Sequence, residues 1–565
     1  MLQKENMSTP LSRAKESRAA IQRIHTAMRH LFIRGHYKPL GASGAAMVEA
    51  LLTIRPEIYG SIVDQEKVEL DGFLYIFQRL PIGIEECNNI KLISKEGFED
   101  STFEAIVPDK RRRNCYRVDK DQMLIEMTRG RSDIYDVLTH LTFMYMEAEK
   151  IRKNSMDSKH VVKREWIRLE EIIEMERRGE EYNKERAYSY LSTILGRTFE
   201  ETLEAAKKFE QAAEVNSLFH IAYWLGKKSI EEFNGKTARE INFSSSLRER
   251  VGFHTYGEKW ASTIKEQLWT AKLNENPLHI ISSNPHSIMN ILFGQAALKR
   301  EFPKLDAIDI AMELSKAGNS KLRKKVSDFA KKHGMTEIKD DSGSNIYVQI
   351  FDTSKIDTAQ INQALGTNYQ AGEQTPVIFN MDYAFGEQAF ETMDELLKPY
   401  ETAGQKQLMN IASISIMGKA GILIGGKGDI MIPDSHVFEG AADNYPFEND
   451  LDLDDFKDQG SGIYTGSMVT VLGTSLSNKD ILRYFHKSSW KAIGVEMEGA
   501  HYQKAIQAAS KIRNNIASDV KVRYAYYASD NPLESGQTLA SGSLGISGVR
   551  PTYLIAKNIL RAIFK

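Results

Sequence analysis

Two acidic segments near the carboxyl end carry residue types that could act on a sugar and on the group attached to it. They are Gly494-Val495-Glu496-Met497-Glu498-Gly499-Ala500 and Ala528-Ser529-Asp530-Asn531-Pro532. Val495 closes an apolar approach, and His501, Tyr502, Ile506 and Ala509 follow with the three-to-four spacing of an amphipathic helix. The acidic pair therefore falls at a predicted strand-to-helix junction, and strand ends are where α/β sheets hold ligands. There Glu498 could accept hydrogen bonds from two adjacent sugar hydroxyls, with Met497 laying a soft apolar surface on the sugar. Asp530 ends a second predicted strand, over residues 522–528, and suits proton donation. Each motif also has a plain structural reading: a Glu at a helix start favours the helix dipole, and an Asp ahead of Asn-Pro forms turns.

Such segments need a sheet to hold them, and the chain changes character to provide one. Residues 1–270 read as a mainly α-helical domain of scaffold, oligomerisation or regulatory role. In it Ile134, Val137, Leu138, Leu141, Met144 and Tyr145 form one helical stripe, and Phe199, Leu203, Ala206 and Phe209 form another after Thr198. Residues 160–186 read as a charged helix pair whose buried edge is Trp166, Leu169, Ile172 and Ile173. His140 shares a helical face with Met144 and Glu147, and reads as a core residue. After Asn274-Glu275-Asn276-Pro277, strands alternate with helices, with strands expected at 278–282, 346–351, 377–381, 411–417, 428–433, 467–472, and in the two segments above. The alternation predicts an α/β fold over 277–565, a mixed sheet flanked by helices.

The 565 residues exceed one compact core. A composition of 42% hydrophobic and 27% charged residues is that of a soluble globular protein. A net charge of -2 excludes a general nucleic-acid binder, which needs a basic excess. The basic run Lys110-Arg111-Arg112-Arg113 reads as a solvated loop. The acidic run 448–455 reads as an exposed loop, lacking the glycine-centred spacing of a calcium loop. Cys87 and Cys115 are too few for a disulfide framework, no Cys/His spacing resembles a zinc site, and no membrane span or signal peptide is indicated. The expectation is a cytoplasmic protein with no metal or cofactor and no membrane partner.

From residue 277 onward the chain resembles the nucleoside phosphorylase and nucleosidase superfamily, and within it the catalytic domain of AMP nucleosidases. The resemblance rests on Gly418-Lys419-Ala420-Gly421-Ile422-Leu423 followed by Gly428-Asp429-Ile430, similar to that family's glycine turn. It rests also on Thr465-Gly466-Ser467-Met468-Val469-Thr470, on Glu496-Met497-Glu498, on Ser529-Asp530-Asn531-Pro532-Leu533 running into a Gly/Ser-rich segment, and on Ser283-Asn284-Pro285-His286. It implies a nucleoside-phosphorylase-like fold that cleaves the N-glycosidic bond of a purine nucleotide or nucleoside. Glu498 would hold the ribose hydroxyls, Met497 would pack on the sugar, and Asp530 would protonate the base, with Ser529, Gly418 and Ser467 framing the pocket. A homo-oligomer is expected from the same resemblance. The chain departs from the family's pattern at Asn531, where a Lys is usual, and at Asn284 and His286, where nucleosidases of the methylthioadenosine type place a Glu that activates water. His286 or Glu496 would then serve that role.

Water is the expected nucleophile. Phosphorolysis needs cations around phosphate, Arg above all, and there is no Arg between Arg323 and Arg483, with Ile416 standing where many phosphorylases carry one. Lys419 and Lys427 keep a phosphate-dependent phosphorylase open as an alternative, and a non-catalytic nucleotide-sensing module is another. A 5′-phosphate would find backbone N–H groups after Ser283 and near Gly386, with His286 and Arg550.

Overall fold

Helices follow the apolar stripes of the sequence in both halves of the chain. The computed structural model describes residues 10–111, 113–402, 404–441, 443–457, 460–534 and 545–565, so Arg112 and the Gly/Ser-rich stretch after Glu534 lie outside the described residues. Two compact units result. The first runs to Thr128 and takes in Asp133–Phe253 and Ser475–Asn478; the second comprises Arg129–Ser132, His254–Thr474 and Lys479–Lys565.

In the first unit the predicted stripe from Ile134 to Tyr145 is buried along helix Gly130–Ser155. Helix Phe199–Gln211 opens on a reciprocal capping box of Thr198 and Glu201. Helix Arg164–Arg177 buries Trp166, Leu169, Ile172 and Ile173. Beside the helices lies a sheet that periodicity did not reveal: β1 (His36–Tyr37), β2 (Asn89–Ile93), β3 (Ala105–Ile106), β4 (Cys115–Arg117), β5 (Gln122–Glu126) and β6 (Glu240–Phe243), in the order β1-β6-β2-β5-β4-β3. Strands of two to five residues are too short to register an alternation. In the basic run Lys110 is exposed, as a solvated loop would have it, but the buried Arg113 guanidinium bonds Asp133 and Asp136 at 2.7 Å each, and Arg111 pairs with Asp136 at 2.9 Å. Helix Gly130–Ser155 supplies both acids one turn apart, which neutralises cations that would otherwise stay in water. His140 is buried 3.3 Å from Asp136, a core residue as expected.

The second unit holds β7 (Leu278–Ser282), β8 (Met335–Ile338), β9 (Val348–Asp352) and β10 (Val377–Met381), a hairpin of β11 (Tyr400–Thr402) and β12 (Gln405–Gln407), then β13 (Ile411–Ile422), β14 (Ile430–Phe438), β15 (Asn444–Pro446), β16 (Ile463–Thr470), β17 (Gly494–Glu496) and β18 (Lys521–Asp530). The large sheet runs β15-β14-β16-β17-β13-β7-β10-β9-β8, with β18 pairing both β13 and β14. Parallel and antiparallel pairs mix, and β13, β18, β14, β16 and β17 close a ring of hydrogen-bonded neighbours. Successive strand residues face opposite layers. Ile280, Phe379 and Tyr524 join a core with helices Thr255–Thr270, Gln388–Leu396 and Gly499–Gln507, whereas Ile281, Ile378 and Ala525 join one with helices Pro285–Ala297 and Val549–Ile563. The expected mixed sheet flanked by helices is thus the architecture found. The acidic run is a partly exposed loop anchored by Leu451 and Phe456 and by an Asp450–Arg523 pair at 2.7 Å.

The long strand β13 is the hinge of this arrangement. One edge pairs with β18 along residues 413–421, and the other pairs first with β7, ending at Ile416 opposite Ser282, then with β17 from Gly421 opposite Val495. Among the described residues, 417–420 have no strand on that second edge. Gly494, where β17 meets β13 and β16, admits no side chain: a Cβ would lie 2.9 Å from the Gly421 carbonyl oxygen and 2.4 and 2.8 Å from the sulfurs of Met431 and Met468. Gly494→Ala should therefore destabilise the protein by about 1–3 kcal/mol, read as a lower urea midpoint at unchanged slope; an unchanged midpoint would show that the junction has slack.

Candidate functional site

Strand β17 ends at Glu496, and helix Gly499–Gln507 begins three residues on. The Glu496 carboxylate, buried, accepts the N–H groups of Glu498 and Gly499 at 2.5 Å each, accepts the Thr470 hydroxyl, and lies 3.5 Å from His436 Nδ1. Burial pushes this carboxyl up, but His436, Thr470 and the Gly499 N–H together hold it below the usual range. Glu496 therefore caps the helix as an anion, with three hydrogen bonds accepted. These bonds commit Glu496 to the start of the helix. Gly499 is required beside it, because a Cβ would lie 2.3 Å from the His436 ring.

With capping done by Glu496, Glu498 makes no side-chain cap bond to the helix. Its Oε1 instead accepts the Gly386 N–H at 3.0 Å, which leaves acceptor capacity on a group able to take about four hydrogen bonds. Burial and the charge of Glu496 push its carboxyl up to about 7, against the Gly386 and Met497 N–H groups and the charge of Arg129. Gly386 stands at φ +55°, where a Cβ would meet Ser132 Oγ at 2.4 Å and Met497 Cε at 3.9 Å. Met497, half-buried, thus lies beside the backbone that holds Glu498.

Asp530 reaches the same end of the sheet through β13, since Gly421 faces Val495 on one edge and Asp530 on the other. Two strand spacings separate those backbones by about 10 Å. Asp530 is 1% exposed; its Oδ1 accepts the Ser529 hydroxyl at 2.5 Å, while Oδ2 has no hydrogen-bond partner among the described residues. Burial raises its carboxyl, opposed by Ser529, Lys419 and Lys427. Asn531 ties down a turn, donating to the Gly425 carbonyl at 3.2 Å and accepting the Leu533 N–H at 3.0 Å.

Three other expectations are revised. Gly418 is not in a turn but inside β13, on the edge left open between β7 and β17; the turn is at residues 423–428, where a Cβ on Gly425 would lie 2.6 Å from Asp429 Oδ2. Ser467 hydrogen-bonds Ser435 at 2.7 Å, and it is Thr470, three residues on, that touches the acidic junction. Asn284 caps helix Pro285–Ala297 through the His286 N–H at 2.9 Å, and His286 is exposed. These two line a cavity of about 450 Å³ with Asn290, Arg323, Tyr527 and Thr552, and no hydrogen bond among the described residues joins them to Glu498 or Asp530. Ile416 is buried core and Arg550 is exposed. Sequence reasoning missed Gly386 as the partner of Glu498, Thr470 and His436 as partners of Glu496, and Arg129 altogether. Glu85, Glu86 and His220 in the first unit have metal-ligand spacing, but Arg117 and Asn216 already partner them.

The chain belongs to a family of unknown function (DUF6909), whose model matches residues 45–302 and 311–565. No curated protein matches it. Among solved structures it is similar to the 5′-methylthioadenosine/S-adenosyl homocysteine nucleosidase of Campylobacter jejuni at 11% identity and a TM-score of 0.30, covering 51% of this chain and 98% of that one. It is similar to a futalosine hydrolase mutant of Helicobacter pylori at 12% and 0.29, over 51% and 98%. It is also similar to uridine phosphorylase of Schistosoma mansoni in complex with uracil at 12% and 0.31, over 54% and 90%.

A carboxyl raised in the fold binds protons that the unfolded chain has already lost, so its contribution is present below its ordinary value and is lost as pH rises toward the raised one. For Glu498 that window runs from about 4.5 to about 7. Wild-type stability should fall across it relative to Glu498→Gln, measured by urea unfolding of both proteins at pH 5, 6, 7 and 8. Parallel curves would mean that the Glu498 carboxyl is unshifted.

Proposed function

We propose that the second unit binds a purine nucleoside or nucleotide and breaks its N-glycosidic bond by hydrolysis. In this reading Glu498 holds the ribose 2′ and 3′ hydroxyls, Met497 packs on the sugar, and Asp530 protonates the departing base at N7. The observation that carries it is the pairing of Gly421 with both Val495 and Asp530, which supports a sugar ligand and an acid acting on one bound molecule. Cleavage leaves positive charge on the ribosyl carbon and negative charge on the base, so an acid at the base and carboxylates near the sugar favour the transition state. Asp530 suits the acid's role: burial favours its protonated form, Ser529 occupies Oδ1, and Oδ2 keeps the position from which a proton would leave. A glycosidic bond that breaks far ahead of attack demands little of the nucleophile. This agrees with Glu496 being committed to the helix start and Asn284 to its own helix.

The same commitments favour a second reading, a nucleotide sensor that binds without turnover. The two separate on incubation with AMP, adenosine, inosine and methylthioadenosine, with and without phosphate, monitored for free base. Phosphate-independent release is expected; release only with phosphate overturns hydrolysis, and binding without release favours the sensor. Asp530→Asn should lower turnover by at least ~10² with ligand affinity largely kept. Unchanged turnover would remove Asp530 from the mechanism.

A further inference from the structure

We infer that Glu85, Glu86 and His220 of the first unit form a site for a divalent transition-metal cation, independently of the reading given to the second unit. One ligand atom from each residue lies within 4.8 Å of the other two. His220 Nε2 stands 2.7 Å from Glu86 Oε1 and 3.5 Å from Glu85 Oε1. Ligands held about 2.0–2.2 Å from a tetrahedral ion stand about 3.3–3.6 Å from one another. The Glu85–His220 pair already has that spacing, and the Glu86–His220 pair reaches it by widening less than about 1 Å.

The partners these carboxylates have do not use them up. Arg117 donates to Glu86 Oε2 at 2.7 Å, and Asn216 donates to Glu85 Oε1 at 2.6 Å. Glu85 Oε2 is left with no hydrogen-bond partner among the described residues, on a side chain only 1% exposed. A buried carboxylate oxygen without a partner is costly, and a cation would supply one. Carboxylates that ligate a metal are themselves hydrogen-bonded by neighbours that orient them, which is the place Arg117 and Asn216 occupy.

Short, capped elements fix the three side chains. Glu85 and Glu86 are consecutive in the helical turn Ile84–Glu86, entered through Gly83 at φ +84°, where a Cβ would lie 2.5 Å from Arg117 Nη1. His220 belongs to the first turn of helix Leu218–Phe233, where the Ser217 hydroxyl accepts its N–H at 3.2 Å. An imidazole beside two carboxylates suits a borderline ion such as zinc better than magnesium or calcium, which take oxygen ligands. The His220 and Glu86 side chains are 29% and 20% exposed, so an ion has a path from solvent and water can complete its coordination. Bound there, it would clip together segments 134 residues apart, and a ligand taken up only by the folded chain raises its stability.

The test strips the full chain with a chelator, then titrates it with zinc chloride by calorimetry and follows urea unfolding with zinc, with magnesium and with neither. Wild type should bind zinc saturably and gain urea midpoint with zinc but not with magnesium. Glu85→Gln and His220→Gln should each weaken zinc at least ~10-fold and lose the gain in midpoint. Should either fail to fold, Asn216→Ala carries the test, with an expected weakening of about 10- to 100-fold. No zinc binding by wild type, or binding and midpoint gain that survive unchanged in any of these variants, overturns the site and leaves a His220–Glu86 ion pair only. An equal gain with magnesium overturns the choice of a transition-metal cation.

Discussion

A carboxylate buried at the head of a helix sets the geometry on which the rest of this site depends. Removing the charge of Glu496 from water is costly unless hydrogen bonds replace the water. Here two backbone N–H groups and one hydroxyl do so, with the His436 ring 3.5 Å away. Because the N–H groups belong to Glu498 and Gly499, satisfying the charge also fixes the backbone between strand and helix. Met497 and Glu498 inherit their directions from it. Burial, and after it the same charge, raises the Glu498 carboxyl, so two acids two residues apart hold their protons differently, one held below the usual range and one raised to about 7. Environments that push paired acids apart in this way are how proteins assign them separate roles.

Strand β13 converts that local order into a site. A strand has two edges, and β13 spends one on β18 while dividing the other between β7 and β17. The division leaves residues 417–420 without a strand on that edge among the described residues, and Gly418 lies among them.

How much of this could be read in the residues follows from what each kind of signal reports. Strands 278–282 and 377–381 were legible because buried parallel strands are continuous apolar runs, and both match the observed bounds. The helix after Glu498 was legible from its stripe. Glu498 and Asp530 stood out through the order and spacing of their two segments, together with the other segments that resemble the same family. The function of Glu496 was not legible, since residue type does not say which donors surround a carboxylate. The glycines misled because Gly418 and Gly425 look alike in sequence, and only the fold shows that one lies flat in a strand and the other lacks room for a Cβ. Arg111 and Arg113 misled for the converse reason, their acid partners being some twenty residues onward on a helix. Arg129 carried no signal, because nothing in a linear reading ties it to Gly386.

The four residues Arg129–Ser132 bear on whether the two units are separable objects. The second unit is not a continuous stretch of polypeptide: its wall beside Gly386 is built by residues that precede it by more than a hundred positions, and the loop Ser475–Asn478 leaves it to join the first unit. A fragment beginning at His254 would keep Glu498 and Asp530 yet expose the Glu387 N–H and the Glu391 carboxyl that those four residues now cover. A cut at His254 therefore removes residues that belong to the second unit itself.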